Sequence, residues 1–512
     1  MQRTVLILAV ITAAIMELID TSIVNVALSH MSGNLGSTLE DTSWVITAYA
    51  IANVIIIPIT GFLAGKLGRR NYYIGSIIAF TFFSMMCGQA TNIWVLVAFR
   101  FLQGIGGGAL LSVSQVIIFE LFPKEKRNVA SALFGVGVFI GPTIGPTLGG
   151  YITEFYSWPW IFYINIPIGI TVAAICYILL KEPGEISDHH KIDWTGILLL
   201  AVGVSALQTV LERGETDDWF EAPYITWLSV IAGFSILLFI WWELRIKYPV
   251  VNLRVLKSRN LSIAAILTFV SGMGIFSSVF LTPVFAQRLL NFTPLQTGLL
   301  LLPGACLAIG GLIISARLLQ RGISPVFLIV AGMGMFVLFS WQMSQLNQDA
   351  CAADITVFLI WRGVGLALVT VPLTTLAVSS LSAADIPQGA ALNNMMRQLG
   401  GSFGIAMVNT YLANRNAQHR SDLVSNLNID NPTVTTRISN YTHFFLSKGA
   451  TQPEAYSKAL KTLDNIVVKQ STILSFSDAF LLVGIIFVAA LPLLMIASSQ
   501  KKVAANVMVP DH

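Results

Sequence analysis

An all-α polytopic membrane protein is the fold class the sequence predicts, and three observations carry it. Of 512 residues, 55% are hydrophobic and 11% charged, against roughly 25% charged in soluble domains. Mean hydropathy is +0.74. Apolar stretches near the ~20 residues that span a bilayer core recur from Val5 to Ala497. A soluble enzyme is excluded, and no enzymatic chemistry is expected.

Apolar windows bounded by charge, Gly and Pro place fourteen helices at 5–28, 43–65, 72–90, 93–119, 128–150, 160–180, 194–212, 223–243, 261–286, 296–316, 323–343, 353–379, 389–411 and 477–498. The first resembles a signal peptide only superficially: its apolar run is long, carries acids and lacks a small-residue cleavage site, so it is read as a retained helix. The span 389–411 is the least apolar, holding Asn393, Asn394, Arg397 and Gln398. Its continuation through Gly404 to Val408 still favours a crossing.

Loop charge sets orientation. Arg3, Lys66, Arg69, Arg70, Lys124, Lys126, Arg127, Lys181, Lys191, the run Arg245 to Arg259, Arg317, Arg321, Lys501 and Lys502 fall on one side, whereas the short loops opposite hold Arg213 and Arg288. The positive-inside rule puts both termini in the cytoplasm. The same rule accounts for the net charge of +4 without a nucleic-acid partner. Residues 412–476 read as one long outer connector, broken at Asp430-Asn431-Pro432 and amphipathic from Glu454 to Val468. A loop of that length is functional or a partly disordered cap.

VLVAFRFLQGIGGGALL (95–111) resembles VFLIWRGVGLALVTVPL (357–373), aligning Arg100 with Arg362, and ASALFGVGV (130–138) faces GAALNNMMR (389–397). The near-equal offsets suggest two parallel halves with a substrate site between them. Helices 194–212 and 223–243 are then an insertion. The implied division is an N-terminal six-helix bundle (1–182), a linker with two inserted helices (183–258), a C-terminal six-helix bundle with its outer loop (259–500) and a tail (501–512).

A charged residue at a helix centre costs about 2.5–3.5 kcal/mol on insertion scales, so each needs a partner, a wet cavity or a function. Glu17, Asp20, Arg100, Arg362 and Arg397 are such residues. Glu17 and Asp20, three apart, share a helix face, and two carboxylates that close do not both ionise easily. A proton carrier needs that property. The plainer reading of Asp20 and Arg100 is a static ion pair that fixes helix packing. Glu17 lines a cavity, where it favours cationic compounds, or reaches out to water. Arg362, Arg397, Asn393, Gln103, Gln115, Phe276 and Met396 complete the candidate cavity, although aromatic and Met side chains in helices more often face packing or lipid.

In GPTIGPTLGG (141–150), Gly141, Gly145 and Gly149 stand four apart, a stripe that lets helices approach closely. Pro142 and Pro146 predict a bend at the interface of moving bundles. QGIGGGA (103–109) lies within an apolar helix with no preceding strand, so its glycines are not a dinucleotide loop. No GxxxxGK[ST] occurs, which leaves an ATP-driven pump unsupported. His189-His190 lacks further ligands at zinc spacing, and Cys87, Cys176, Cys306 and Cys351 form no disulfide framework or metal pair.

Together LIDTSIVNVAL (18–28), VAFRFLQGIGGGAL (97–110), GPTIGPTLGG with Tyr151, WIFYINIPIG (160–169), IDWTG (192–196) and NNMMRQLGGSFG (393–404) resemble motifs of the major facilitator superfamily, in particular its fourteen-helix drug:proton antiporters of the EmrB type. The resemblance covers nearly the whole chain. It implies a major-facilitator fold of two six-helix bundles plus two inserted helices, and proton-driven export of varied amphipathic compounds with no cofactor. Asp20 takes the place of the first-helix motif acid, Arg100 that of the arginine associated with proton coupling, and Gly141 to Gly150 that of the antiporter motif. It further implies residence in a bacterial inner membrane and assembly with an EmrA-like periplasmic adaptor and a TolC-like outer-membrane channel. Two positions depart from pattern. GFLAGKLGRR (61–70) keeps Gly61, Gly68, Arg69 and Arg70 but has Gly65 where the superfamily has an acid, which puts its latch between bundles in doubt. Glu17 is the other. A specific metabolite or siderophore-like substrate fits the same motifs, and a non-transporting sensor or scaffold fits them less well, because it has no use for charges at the bilayer centre.

Overall fold

The computed structural model describes residues 2–123, 127–181, 193–247, 249–347, 350–379, 381, 385–428 and 431–495. Lys124, Lys126, Lys191, Lys501, Lys502, the pair His189-His190, Asp430 and the tail 501–512 lie outside the described residues, as does the side chain of Pro142.

Among the described residues the secondary structure is helical throughout. The helices are α1 (Gln2–Leu35), α2 (Leu39–Leu67), α3 (Arg69–Gly88), α4 (Ile93–Leu121), α5 (Arg127–Phe155), α6 (Trp160–Tyr163), α7 (Asn165–Leu179), α8 (Trp194–Arg213), α9 (Pro223–Arg245), α10 (Arg259–Leu289), α11 (Pro294–Gln320), α12 (Pro325–Ser344), α13 (Ala352–Ser379), α14 (Ile386–Ser425), α15 (Pro432–Ser447) and α16 (Gln452–Ala490). By length and hydropathy, eleven segments of the described residues are able to cross a bilayer, α6 and α7 counting as one. Helices α3, α5 and α14 each pack along one of the eleven.

Helix starts follow local chemistry. Thr38, Asn92 and Asp193 accept hydrogen bonds from the backbone N–H of Asp41, Trp94 and Gly196, satisfying donors that the first turn leaves free. Thr293 and Gln296 form a reciprocal capping box with Pro294 in the first turn of α11. Gly68, with φ near +80°, supplies the left-handed turn that reverses α2 into α3.

One packing order occurs twice. Helix α1 lies on α5 and α7, α2 on α4, and α3 on α4 and α7; in the second half α10 lies on α14 and α16, α11 on α13, and α12 on α13 and α16. Each set encloses its own apolar core, with Tyr73, Phe80 and Phe134 in the first and Phe285, Phe336, Phe339 and Phe480 in the second. The sets meet through α5 against α11 and α13, and through α14 against α2 and α4. Helices α8 and α9 pair with each other and touch the rest chiefly through α2 and α14.

Most of the described residues in the outer connector expected over 412–476 are helical. Helix α14 runs unbroken to Ser425, α15 follows, and α16 starts at Gln452 and continues into the last apolar span. Ala455, Ala459, Leu463 and Val467 form a buried stripe at four-residue spacing along α16. Arg415 and His419 of α14 reach Asp478 at 2.6 and 2.8 Å, and Arg420 reaches Asp464 at 3.0 Å. A polar sequence that stays helical this way forms a folded cap.

Candidate functional site

Asp20 sits mid-way along α1 and is fully buried. Its Oδ2 accepts from Arg100 Nη1 at 2.5 Å, and its Oδ1 accepts from Gln103 Nε2 and Asn165 Nδ2, both at 3.0 Å. Three N–H donors thus converge on one carboxylate, an arrangement that an ionised, acceptor-only group uses in full. Arg100 and Gln103 stand one turn apart on α4, and Arg100 Nη1 also donates to Gln103 Oε1 at 2.8 Å. The guanidinium Nε donates to the Val45 carbonyl at 3.2 Å, and its plane stacks over the Tyr49 ring at 4.1 Å. Asn165 donates to Ser84 Oγ, which donates to the Phe162 carbonyl. A break at Ile164 starts α7 at Asn165 and lets its amide face α1.

Glu17 shares the buried face of α1 but has other partners. Its Oε1 accepts from Asn53 Nδ2 at 2.8 Å and from the Tyr49 hydroxyl at 3.4 Å, while Oε2 has no partner. The two carboxylates are therefore joined through Tyr49, whose ring carries Arg100 and whose hydroxyl faces Glu17. Sequence reading named Asp20, Glu17, Arg100 and Gln103. It missed the roles of Asn165, Tyr49, Asn53 and Ser84, although a lone Asn in WIFYINIPIG or in the apolar run around Asn53 is a usable signal for an intramembrane partner.

The glycine stripe of α5 seats the acid helix. A Cβ on Gly141 would lie 3.0 Å from the Leu18 backbone, and on Gly149 it would lie 2.9 Å from the Ile23 carbonyl; at Gly145 it would overlap Ser22. Ser22 Oγ also donates to the Gly141 carbonyl at 3.3 Å. Gly150 is buried beside the stripe, and Pro146 is half-buried within the continuous helix. The motif's glycines face α1 within the first set, while the same helix stands at the seam with the second set, where Gly135 meets Leu312 and the motif's own Thr147 meets Gly298.

The turn motif is intact in part. Arg69 pairs with Glu120 at the end of α4, and Arg70 donates to the Tyr177 carbonyl at 2.7 Å while covering its ring. Gly61 is half-buried. Gly65 is exposed, with open space where a side chain would stand.

The remaining candidates divide. Asn394 Nδ2 donates across the interface between the sets to Gln115 Oε1 at 2.8 Å, and Arg397 donates to Asn394 Oδ1 while lying 5.7 Å from the Phe134 ring centre. Asn393 is buried with its Oδ1 unbonded. Arg362 is 6% exposed. Phe276 packs over Gly401 in the α10–α14 seam, and Met396 packs at the edge of the apolar cluster around Ile57 and Leu392. None of these lines the 510 Å³ groove between α2 and α4, which is bordered by Trp44, Ile51, Trp94 and Phe101 on the outside of the helices.

A buried acid held by an arginine from a second helix thus sits within a twice-repeated helical packing. The Major Facilitator Superfamily model matches residues 10–405, and the chain belongs to that superfamily. Within it the chain lies among the multidrug-efflux-type transporters. It is 32% identical over 503 residues to the multidrug export protein EmrB of Escherichia coli K12, covering 97% of this chain and 95% of that protein. It is also 32% identical over 485 residues to the fatty acid resistance protein FarB of Neisseria gonorrhoeae, covering 95% and 94%. The multidrug transporter protein MdtP of Bacillus subtilis is 32% identical over 82% of this chain and 77% of its own. Among solved structures, the human organic anion transporter MFSD10 superposes with a TM-score of 0.58 at 12% identity, covering 95% of this chain and 99% of that one, a likeness of fold alone.

Proposed function

We propose that the chain is a proton-coupled exporter of structurally diverse amphipathic compounds in the bacterial inner membrane, with Asp20 as proton carrier. The observation that carries this reading is the fully buried carboxylate bound by Arg100, Gln103 and Asn165. A proton arriving on Asp20 removes the charge that holds Arg100. The guanidinium then depends on Gln103, Val45 and the face of Tyr49, and α1 and α4 are free to shift against each other. Because α5 is seated on α1 through its glycines, that shift reaches the seam between α5 and α11. Deprotonation to the cytoplasm restores the pair. The names of the relatives agree with export of toxic compounds.

The finer architecture belongs to the same reading: fourteen crossings, two six-helix bundles at 1–182 and 259–500, the inserted pair α8 and α9 within 183–258, and both termini cytoplasmic. Rocking of the bundles then gives alternating access. The cap formed by the end of α14, α15 and the start of α16 supplies a periplasmic surface for an adaptor, which would link the exporter to an outer-membrane channel. Glu17 is a second carboxylate on the route, coupled to Asp20 through Tyr49.

Purified protein in proteoliposomes tests the reading. An imposed pH gradient is expected to drive uptake of cationic and neutral dyes into vesicles by inverted protein, and collapse of the gradient is expected to stop it. Gradient-independent dye movement overturns proton coupling. A drug panel in an efflux-deficient host separates the second reading: unchanged sensitivity to every compound, with one metabolite accumulating inside, points to a dedicated exporter.

A further inference from the structure

The two packing sets touch along several helices, yet the side-chain hydrogen bonds that run directly between them gather at one end. Among the described residues these bonds join Asn394 Nδ2 to Gln115 Oε1 at 2.8 Å, Asn394 Nδ2 to Ser112 Oγ at 3.4 Å, and the hydroxyls of Ser131 and Thr375 at 3.1 Å. Ser112, Gln115, Ser131 and Asn394 are each at most 1% exposed. Arg397 donates to Asn394 Oδ1, which turns the amide N–H groups toward α4, and its guanidinium lies 5.7 Å from the centre of the Phe134 ring on α5. Asn394 is thus held from its own helix and bonded across the seam.

The level of these bonds is informative. Helices α4 and α13 end, and α5 and α14 start, on the basic side of the fold, where Arg69 meets Glu120 at the end of α4 and Arg317 closes α11. At 1.5 Å per residue, Ser112, Gln115, Ser131, Thr375 and Asn394 all lie within about 14 Å of those ends. Toward the opposite side, Thr147 rests against Gly298 in the seam of α5 with α11, and its hydroxyl is unbonded. Directional bonds in a dry site hold one end of the seam, and contact alone closes this point of the other. Gly65, near the end of α2 on the basic side, has no carboxylate to reinforce the seam.

We propose that Gln115, Asn394 and Arg397 form a polar lock that holds the two sets together on the basic side, and that the lock opens each time substrate is loaded from that side. This rests on the exporter reading and names the positioning residues that gate it. Opening the seam takes the partner from buried amide groups, a cost that water entering the gap offsets. Arg100 and Gln115 stand on the same helix, about 22 Å apart along its axis. A shift of α4 on protonation of Asp20 therefore pulls on the lock through one rigid element.

The test uses full-length protein in proteoliposomes, with the exposed native thiols removed as Cys306→Ser and Cys351→Ser and a reporter pair Ser131→Cys and Thr375→Cys across the seam. Cross-linking under a mild oxidant is followed by counting the remaining thiols with a maleimide-linked polymer after denaturation, and dye flux is driven by a pH gradient. The cross-link is expected to stop flux, and a reductant to restore it. Gln115→Leu, which cannot accept from Asn394, should slow cross-linking by about fivefold, the effect of one hydrogen bond on an equilibrium. Gln115→Glu keeps the acceptor and adds a charge toward Arg397, so it should speed cross-linking and slow flux. A merely structural role of Gln115 does not predict opposite shifts from the two variants. Full flux with the cross-link in place overturns the lock, as do equal cross-linking rates in all three backgrounds or the failure of any cross-link to form. Absence of gradient-driven flux in the reduced protein sinks the exporter reading instead, and the three cross-linking rates then decide the lock by themselves.

Discussion

Arg100 and Arg362 occupy matching positions in the two sequence repeats and in the two repeated packing sets, yet their surroundings differ completely. Arg100 has Asp20 at 2.5 Å, Gln103 at 2.8 Å, a backbone carbonyl and two aromatic faces. Arg362 has none of these. The difference lies in the helices opposite: α1 carries Glu17 and Asp20, while its counterpart α10 carries Thr268, Ser277 and Thr282 at buried positions, all with unbonded hydroxyls. Among the described residues, one half of the fold pairs its buried arginine with an acid and the other does not.

The comparison predicts opposite responses to the same substitution. Arg100→Met strips Asp20 of its ion-pair partner in a dry site and should destabilise the protein by about 3–5 kcal/mol, the usual cost of orphaning one member of a buried pair. Thermal unfolding in detergent, set beside Arg362→Met, measures it. Equal melting temperatures for the two variants break the comparison. Gly145→Val comes next, because its side chain would enter the space of Ser22 and push α5 off α1. A loss of about 1–3 kcal/mol is expected from such overpacking, with transport falling more steeply than stability. Asn165→Ala removes one of three donors to Asp20 and exposes nothing new to water, so about 1–2 kcal/mol should be lost. Asn165→Ser, which keeps a donor, should lose less. At the small end, Gly65→Asp restores the acid of the superfamily pattern at an exposed position with open space, and should change stability by no more than about 0.5 kcal/mol. A change in transport rate without a change in melting temperature would show that the latch still has a partner.

Much of this arrangement was legible in the residues. Charges cannot be scattered cheaply in apolar helices, so Asp20 and Arg100 marked themselves, and the spacing of Arg100 with Gln103 placed both on one face. Gly141, Gly145 and Gly149 announced a close helix approach but not which helix, since a stripe of small residues is silent about its partner. Asn165 and Tyr49 do not announce themselves in this way, because neutral polar residues in membrane helices are common enough to need no special partner. The segment 412–476 looks like a connector because hydropathy detects the bilayer rather than the helix, and the stripe from Ala455 to Val467 is its one sign of helical continuation. Phe276 and Met396, the candidates for a cavity wall, are half-buried and pack over Gly401 and beside the cluster around Leu392.

The central claim is that Asp20 exchanges its arginine for a proton during each cycle. Substrate-induced proton movement, recorded with a pH-sensitive dye in proteoliposomes of wild type and Asp20→Asn, tests it most directly. Wild type should release protons in step with substrate entry and consume the pH gradient. Asp20→Asn, which keeps the shape and most hydrogen bonds but cannot take up a proton, should bind substrate and move none. Proton movement by Asp20→Asn at a rate like that of wild type would contradict the account.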